Sequence, residues 1–264
     1  MSLCQDCVKG ECSLFVTRYF SSSVRHEGTP SGEFKKINGV DCYVATPEGE
    51  YAKDKVLLFL PDAFGMQLVN NQLLTDDFAI NGYKTVLIDY LSGDPIPSDA
   101  LDDPNSGFDL VKWFGKHTQE VTRPLIDKVV STLKEEGVTQ FAATGYCFGG
   151  RYCFDLAFDH VIKATVVAHP SLLKIPDDLE KYASTAKAPL LINSCTVDMR
   201  FPLEAQAAAD KIFGDGKFAP GYKREYFDGC THGFAVRGDM SNPQVKAGKE
   251  GAFKATVEWL KKYL

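Results

Sequence analysis

The sequence lacks an excess of basic residues and lacks a long apolar run. Its 264 residues include 29 Lys and Arg against 35 Asp and Glu, which gives a formal net charge of −6. Because nucleic acids and anionic membranes select basic surfaces, we expect neither partner. No apolar stretch approaches the ~18 residues of a membrane span. The first ten residues carry Asp6, one Lys and no apolar stretch typical of a secretory signal, so we expect a cytoplasmic protein with reduced thiols.

The amino-terminal cysteines lack a regular metal-ligand spacing. Cys4, Cys7 and Cys12, with His26 beyond them, could be drawn as a zinc site, but spacing this irregular is weak support. We therefore expect no metal and no cofactor. Residues 1–32 are predicted to form an N-terminal arm of uncertain order that lies on the following domain.

Strand and helix patterns alternate after this arm. Asn38-Gly39 between two short strand patterns predicts a hairpin, and continuous apolar runs predict buried strands. The loop at 90–106 is long enough to suggest a lid or wall. We predict an α/β fold in one domain over 33–264, with a doubly wound, mostly parallel sheet of about 7–8 strands and helices on both faces. The predicted strands are 34–37, 42–46, 55–60, 84–89, one beginning at 141, 164–169, 189–194 and 223–227, and the predicted helices are 68–80, 120–136, 150–158, 202–213 and 245–263.

The most informative stretch is Gly145-Tyr-Cys147-Phe-Gly149. It has the spacing of the nucleophile elbow G-x-S-x-G, with sulfur in place of the hydroxyl. The flanking positions need Gly because a Cβ would collide with a neighbouring strand or helix. The N-terminus of the next helix would favour a thiolate. A nucleophilic cysteine and a structural thiol at a Gly-punctuated turn both fit this pentapeptide.

Two later loops supply an acid and a histidine. Asp198 lies four residues beyond the predicted strand end at Ser194, and His232 lies five residues beyond the strand end at Phe227. In an α/β-hydrolase fold the acid and then the histidine follow the nucleophile, and the carboxyl ends of the strands meet at one edge. We therefore predict a triad in which Cys147 is the nucleophile, His232 the base and Asp198 the orienting carboxylate.

Other groups near these loops have weaker assignments. His169 also ends a strand, but it comes too early in the chain order, so we predict a packing or hydrogen-bonding role near the cleft. An oxyanion hole needs two backbone donors, and the N–H groups of Phe148 and Ala63 are the candidates.

Four segments together resemble the signature regions of the dienelactone hydrolase family, also called carboxymethylenebutenolidases. These segments are Gly145-Tyr-Cys-Phe-Gly-Gly150, Asp198-x-x-x-Pro202, Thr231-His-Gly-Phe-Ala-Val-Arg237 and Pro61-Asp-Ala-Phe-Gly65. The resemblance runs from about Phe34 to the C-terminus. It implies hydrolysis of a small ester or lactone through a cysteine thioester acyl-enzyme, with Cys147, His232 and Asp198 in the roles given above.

The chain departs from the family pattern at two positions. Asp62 stands where the best-known members carry a Glu that holds the resting thiol. Arg237 follows His232 by five residues, displaced from the family's carboxylate-binding arginine. We expect Asp62 and Arg237 to contact the thiol or the substrate. For Arg237, a surface ion pair with Asp239 is the alternative.

Other functions also fit the sequence. The chain could be a non-catalytic relative that binds a metabolite, or an enzyme of specialised metabolism that opens a polyketide lactone or anhydride. A redox pair of Cys147 and Cys153 is disfavoured, because Cys153 should face the core. We expect a small-molecule ester or lactone as the partner, and a monomer or weak homodimer.

Overall fold

The computed structural model describes residues 24–98, 100 and 106–264. The strands are β1 (Glu33–Ile37), β2 (Val40–Ala45), β3 (Lys55–Leu60), β4 (Thr85–Ile88), β5 (Gln140–Tyr146), β6 (Thr165–Ala168), β7 (Leu190–Val197) and β8 (Tyr222–Thr231). The helices are α1 (Val69–Ile80), α2 (Leu110–Lys116), α3 (Gln119–Glu135), α4 (Gly149–Phe158), α5 (Asp177–Thr185), α6 (Leu203–Phe213) and α7 (Pro243–Tyr263).

The strands form one 8-stranded sheet in the order β1-β2-β4-β3-β5-β6-β7-β8. Strand β2 pairs antiparallel with both β1 and β4, and every other pairing is parallel. The parallel strands all place their carboxyl ends at the same edge. The predicted α/β fold with a mostly parallel sheet is confirmed.

The sheet is covered on both faces, which explains its continuous apolar strands. Along β3, Leu58 and Leu60 belong to one buried cluster with helices α3 to α6, whereas Leu57 and Phe59 belong to the other. The second cluster is closed by α1 and α7, through residues such as Phe78. Burial on both sides removes the need for polar alternation along a parallel strand.

Several elements differ from the sequence prediction, and one of them is strand β7, which runs to Val197 rather than ending at Ser194. Helices α2 and α5 were not predicted, since each is short; α2 is started by Asp109, whose carboxylate accepts from the N–H of Lys112 at 2.9 Å. Strand β8 continues to Thr231, where the sequence had suggested a turn from Asp228. Its final residue pairs with Val197 of β7 beyond a bulge, so strand pairing overrides the local turn signal at Gly229.

The described part of the predicted arm contacts helix α1. The Arg25 guanidinium lies 2.6 Å from a carboxylate oxygen of Asp77 and 3.2 Å from one of Asp76. His26 pairs with Glu250 at 3.0 Å. The cysteines of the suggested zinc site lie outside the described residues, as do positions 99 and 101–105 of the predicted lid. Within the described residues, no three metal-ligating side chains cluster, and no helix is long and apolar enough to span a membrane.

Candidate active site

The backbone makes a sharp bend at Cys147, between β5 and α4. Cys147 has φ of +48°, a left-handed value that a non-glycine residue adopts only where its surroundings enforce it. A Cβ on Gly149 would overlap the carbonyl oxygen of Leu60, and a Cβ on Gly145 would lie 2.6 Å from the sulfur of Cys153. The two glycines are therefore needed for close approach, as the sequence predicted. Cys153 is fully buried in the core, also as predicted.

The loop after β6 holds the bend. The N–H of Cys147 donates to Ala168 O at 3.1 Å, and the carbonyl of Cys147 accepts from Ser171 N at 2.9 Å. The hydroxyl of Ser171 lies 3.4 Å from the sulfur. Sequence reasoning missed Ser171; its position just past the end of a strand was the only available signal.

Asp198 and His232 meet beside this bend. The carboxylate of Asp198 accepts from His232 Nδ1 at 2.9 Å. Each residue follows directly on a strand, and the last residues of these strands, Val197 and Thr231, are register partners. The N–H of His232 also donates to Val197 O at 2.9 Å. Strand pairing therefore places the acid next to the histidine, although both lie closer to their strands than the sequence suggested.

The surroundings of His232 favour its protonated form. Burial acts to lower the pKa of the imidazole, but the hydrogen bond to Asp198 and the interaction with the thiol of Cys147 outweigh it and raise the pKa to about 10. An imidazolium next to a sulfur favours a thiolate. The arrangement brings an imidazole, oriented by a carboxylate, next to a thiol.

His169 packs against His232. Its side chain is fully buried, its ring centroid lies 4.8 Å from that of His232 at 61°, and its φ is +38°. Burial keeps its pKa well below the usual value, so the ring is neutral. Neither ring nitrogen bonds to another described residue. The ring also packs edge-on against Phe234 at 5.6 Å, so of the two predicted roles packing is the one observed.

Asp62 is buried in the loop after β3 and pairs with Arg237. One carboxylate oxygen accepts from Asn71 Nδ2 at 3.1 Å and from Phe64 N at 3.2 Å, and the other lies 3.7 Å from Arg237 Nε. Burial raises the pKa of Asp62, and the charge of Arg237 opposes that rise. None of the described hydrogen bonds of Asp62 reaches Cys147.

The guanidinium of Arg237 stacks 3.7 Å above the ring of Phe64 and keeps 36% of its side chain exposed. Asp239 instead accepts from the backbone and hydroxyl of Ser241 at 2.9 and 2.6 Å. The structure thus pairs Arg237 with Asp62 rather than with Asp239.

The two suggested oxyanion donors lie on different loops, one after β5 and one after β3. Phe148 immediately follows Cys147 at the start of α4, and Ala63 lies just past β3, where its carbonyl accepts from Ile96 N at 2.8 Å. Neither the N–H of Phe148 nor that of Ala63 donates to another described residue.

A mostly parallel sheet with a cysteine elbow, followed in the chain by an acid and a histidine, defines a protein of the α/β-hydrolase fold. Residues 40–264 match the model of the dienelactone hydrolase family, and the chain belongs to that family. It is a dienelactone hydrolase-like hydrolase.

Relatives support this assignment over most of the chain. A protein named Dienlactone hydrolase 1 from Gibberella moniliformis is 33% identical over 242 residues, which cover 89% of this chain and 89% of the relative. Hydrolase pyvD from Aspergillus violaceofuscus is 32% identical, with coverage of 90% and 93%. The carboxymethylenebutenolidase homolog of Xenopus tropicalis is 26% identical, with coverage of 88% and 91%.

Solved structures support the fold. A dienelactone hydrolase-like promiscuous phosphotriesterase from metagenomic libraries superposes with a TM-score of 0.62 at 18% identity, covering 89% of this chain and 98% of the other. A dienelactone hydrolase from Anabaena variabilis gives 0.55 at 13% identity, with coverage of 90% and 100%.

Proposed function

We propose that this protein hydrolyses a small ester or lactone through a thioester formed on Cys147. The observation that carries the proposal is the position of His232, bonded to Asp198 at 2.9 Å and close enough to the thiol for the interaction to raise the imidazole pKa. Nucleophile, base and orienting carboxylate are the three parts that covalent acyl transfer requires.

The reaction begins when the thiol of Cys147 transfers its proton to His232. The thiolate attacks the ester carbonyl carbon and forms a C–S bond, while the carbonyl oxygen takes the negative charge and accepts from the N–H groups of Phe148 and Ala63. Collapse of this intermediate breaks the ester C–O bond, and the leaving oxygen takes the proton from His232 where it needs one. A water molecule that His232 deprotonates then attacks the thioester and releases the acid and the thiol.

The sulfur nucleophile limits the substrate class. A thiolate is itself a good leaving group, so the first intermediate returns to reactants unless the departing oxygen is stabilised. Enol lactones, aryl esters and anhydrides meet this condition, whereas plain alkyl esters and amides do not. Lactones of specialised metabolism, including polyketide lactones, remain within this class.

Arg237 supplies the binding site for an anionic part of the substrate. Its ion-pair partner is Asp62, one of whose carboxylate oxygens lies 3.7 Å from Arg237 Nε. Over a third of the Arg237 side chain is exposed to solvent. The fork of guanidinium donors therefore remains available for a bidentate contact with a carboxylate. A substrate with a carboxylate near the ester would be held with its carbonyl toward Cys147.

The test is pre-steady-state hydrolysis of an activated aryl ester. We expect a burst of one leaving group per active site in the wild type and no burst or turnover in Cys147→Ala. Cys42→Ala is the matched control, because Cys42 is a buried thiol on β2, away from the elbow, and should keep the burst. Retained turnover in Cys147→Ala would refute the nucleophile assignment.

Alkylation separates the enzyme from a non-catalytic binder. A reactive thiolate requires fast modification of Cys147 by iodoacetamide near neutral pH, whereas an inert thiol reacts slowly. A panel of anionic lactones, neutral lactones, aryl esters and thioesters, each with the Cys147→Ala control, then identifies the substrate class. A failure of every panel member together with slow alkylation would favour the binding protein.

A further inference from the structure

We propose that Ser171 is a positioning residue whose hydroxyl donates a hydrogen bond to the thiolate of Cys147, an inference that rests on the proposed nucleophilic role of that sulfur. The Oγ of Ser171 lies 3.4 Å from Sγ, and the residue is only 5% exposed. The sulfur is the one hydrogen-bond partner of this hydroxyl among the described residues. No other contact accounts for a buried hydroxyl at this position.

The backbone fixes Ser171 against the elbow. Its N–H donates to the carbonyl of Cys147 at 2.9 Å, and the residue before it, Pro170, packs on the first turn of α4. There, a Cβ on Gly150 would lie 2.7 Å from the Cβ of Pro170. The N–H of Cys147 also donates to Ala168 O at 3.1 Å. Both backbone polar groups of Cys147 are therefore hydrogen-bonded to the end of β6 and the loop that follows it.

The protonation of the neighbours decides which atom donates. The titratable groups that interact with the sulfur are His232 and, from the loop after β4, Tyr90; Asp62 and Arg237 neutralise each other nearby. His232 favours the imidazolium, and burial keeps Tyr90 protonated. Either atom of the contact between Ser171 Oγ and Cys147 Sγ could donate. A thiolate can only accept, so the proposed contact has the hydroxyl as its donor.

The contact acts at two stages of the reaction. In the free enzyme it stabilises the thiolate and holds the sulfur toward the substrate. In the thioester the sulfur carries no charge, so the hydrogen bond weakens, and it strengthens again when water attack breaks the C–S bond and returns the charge to sulfur. Ser171 therefore favours both thiolate formation and departure of the thiolate in deacylation.

The test is the pH dependence of iodoacetamide alkylation, followed for the Cys147 peptide by mass spectrometry. In Ser171→Ala the midpoint of the alkylation profile should rise by about one pH unit. At a pH below both midpoints the variant should then hold about 10-fold less thiolate than the wild type. Ser171→Thr keeps the hydroxyl, and its alkylation midpoint should stay within about 0.3 pH unit of the wild-type midpoint. Ser194→Ala removes a buried hydroxyl that bonds to Glu225 O at 3.0 Å, and it should cause no shift.

A folded Ser171→Ala variant with an unchanged midpoint would overturn the proposal. A lowered midpoint would overturn it too, because it would show that a neutral thiol donates to Ser171. Circular dichroism of each variant confirms the fold. Failure of the proposed function is a separate result, turnover in Cys147→Ala, and it leaves the alkylation comparison intact because the reagent reports thiolate whether or not the enzyme uses it.

Discussion

Replacing Asp198 with Asn separates the charge of this carboxylate from its geometry. All of its described donors reach one oxygen: Oδ1 accepts from His232 Nδ1 at 2.9 Å, from Arg200 N at 2.8 Å and from Phe201 N at 3.1 Å. Oδ2 is buried and has no described partner. An Asn side chain can place its carbonyl oxygen at the Oδ1 position and keep all three hydrogen bonds.

The loss of activity in Asp198→Asn should therefore come mainly from the lost negative charge. The His232 tautomer with a proton on Nδ1 is retained. A hydrogen bond to a charged acceptor contributes roughly 1–2 kcal/mol more than one to a neutral acceptor, so kcat/KM should fall by roughly 5–30-fold. Asp198→Ala instead leaves His232 unrestrained and two N–H groups unpaired, and it should cost about 10³–10⁴-fold.

The variant also changes how stability depends on pH. The pKa of His232 is raised in the folded chain to about 10, above the usual value of 6.5. Its contribution is fully present below about pH 6.5 and is lost as the pH rises toward the folded value. Removing the carboxylate charge lowers the folded pKa of His232, so the stability difference between wild type and Asp198→Asn should be larger near pH 6.5 than near pH 10. The amide nitrogen at the Oδ2 position lacks an acceptor and costs about 1–3 kcal/mol at any pH.

The assay is kcat/KM against pH with one activated aryl ester for wild type, Asp198→Asn and Asp198→Ala. Urea unfolding at two pH values measures the stability difference separately. If Asp198→Asn is as inactive as Asp198→Ala while still folded, the amide nitrogen faces the imidazole, and the inference from the shared oxygen is wrong.

Three further predictions concern other parts of the fold. Gly149→Ala should prevent the elbow from forming, because its Cβ would overlap Leu60 O, and soluble expression or thermal unfolding would show the loss. Arg237→Gln should raise KM for an anionic lactone about 10-fold or more and leave a neutral aryl ester within about 2-fold; an equal effect on both would contradict its binding role. Arg25→Ala should reduce the free energy of unfolding by about 1–2 kcal/mol, because it removes the partly exposed partner of buried Asp77, and urea titration measures this.

The bend at Cys147 and the meeting of Asp198 with His232 were predictable because both depend on simple rules of chain geometry. The bend at Cys147 needs glycine two residues before and two residues after it, and both glycines are visible in the five residues 145–149. Asp198 and His232 follow parallel strands, whose carboxyl ends must share an edge. Sequence alone could not give their exact distance from the strands, because the pairing of Val197 with Thr231 depends on a bulge that forms only when both strands are in place.

Contacts across the sheet edge were not predictable in the same way. Ser171 reaches the sulfur, and His169 reaches the base, through a loop whose path is set by packing on the elbow helix. Short elements such as α2 and α5 gave too few periodic residues to be recognised. Roles that depend on which loop lies over another leave almost no signal in a single sequence.

Asp62 contacts groups other than the sulfur of Cys147. One carboxylate oxygen of Asp62 accepts from Asn71 Nδ2 and Phe64 N. The other has no hydrogen-bond partner among the described residues and lies 3.7 Å from Arg237 Nε. None of these described contacts is with the thiol of Cys147. The partners left for Cys147 are His232 and, across 3.4 Å, the hydroxyl of Ser171. The described side-chain contacts of this sulfur therefore come from the loops after β6 and β8, whereas Asp62 pairs with Arg237, whose guanidinium lies over Phe64.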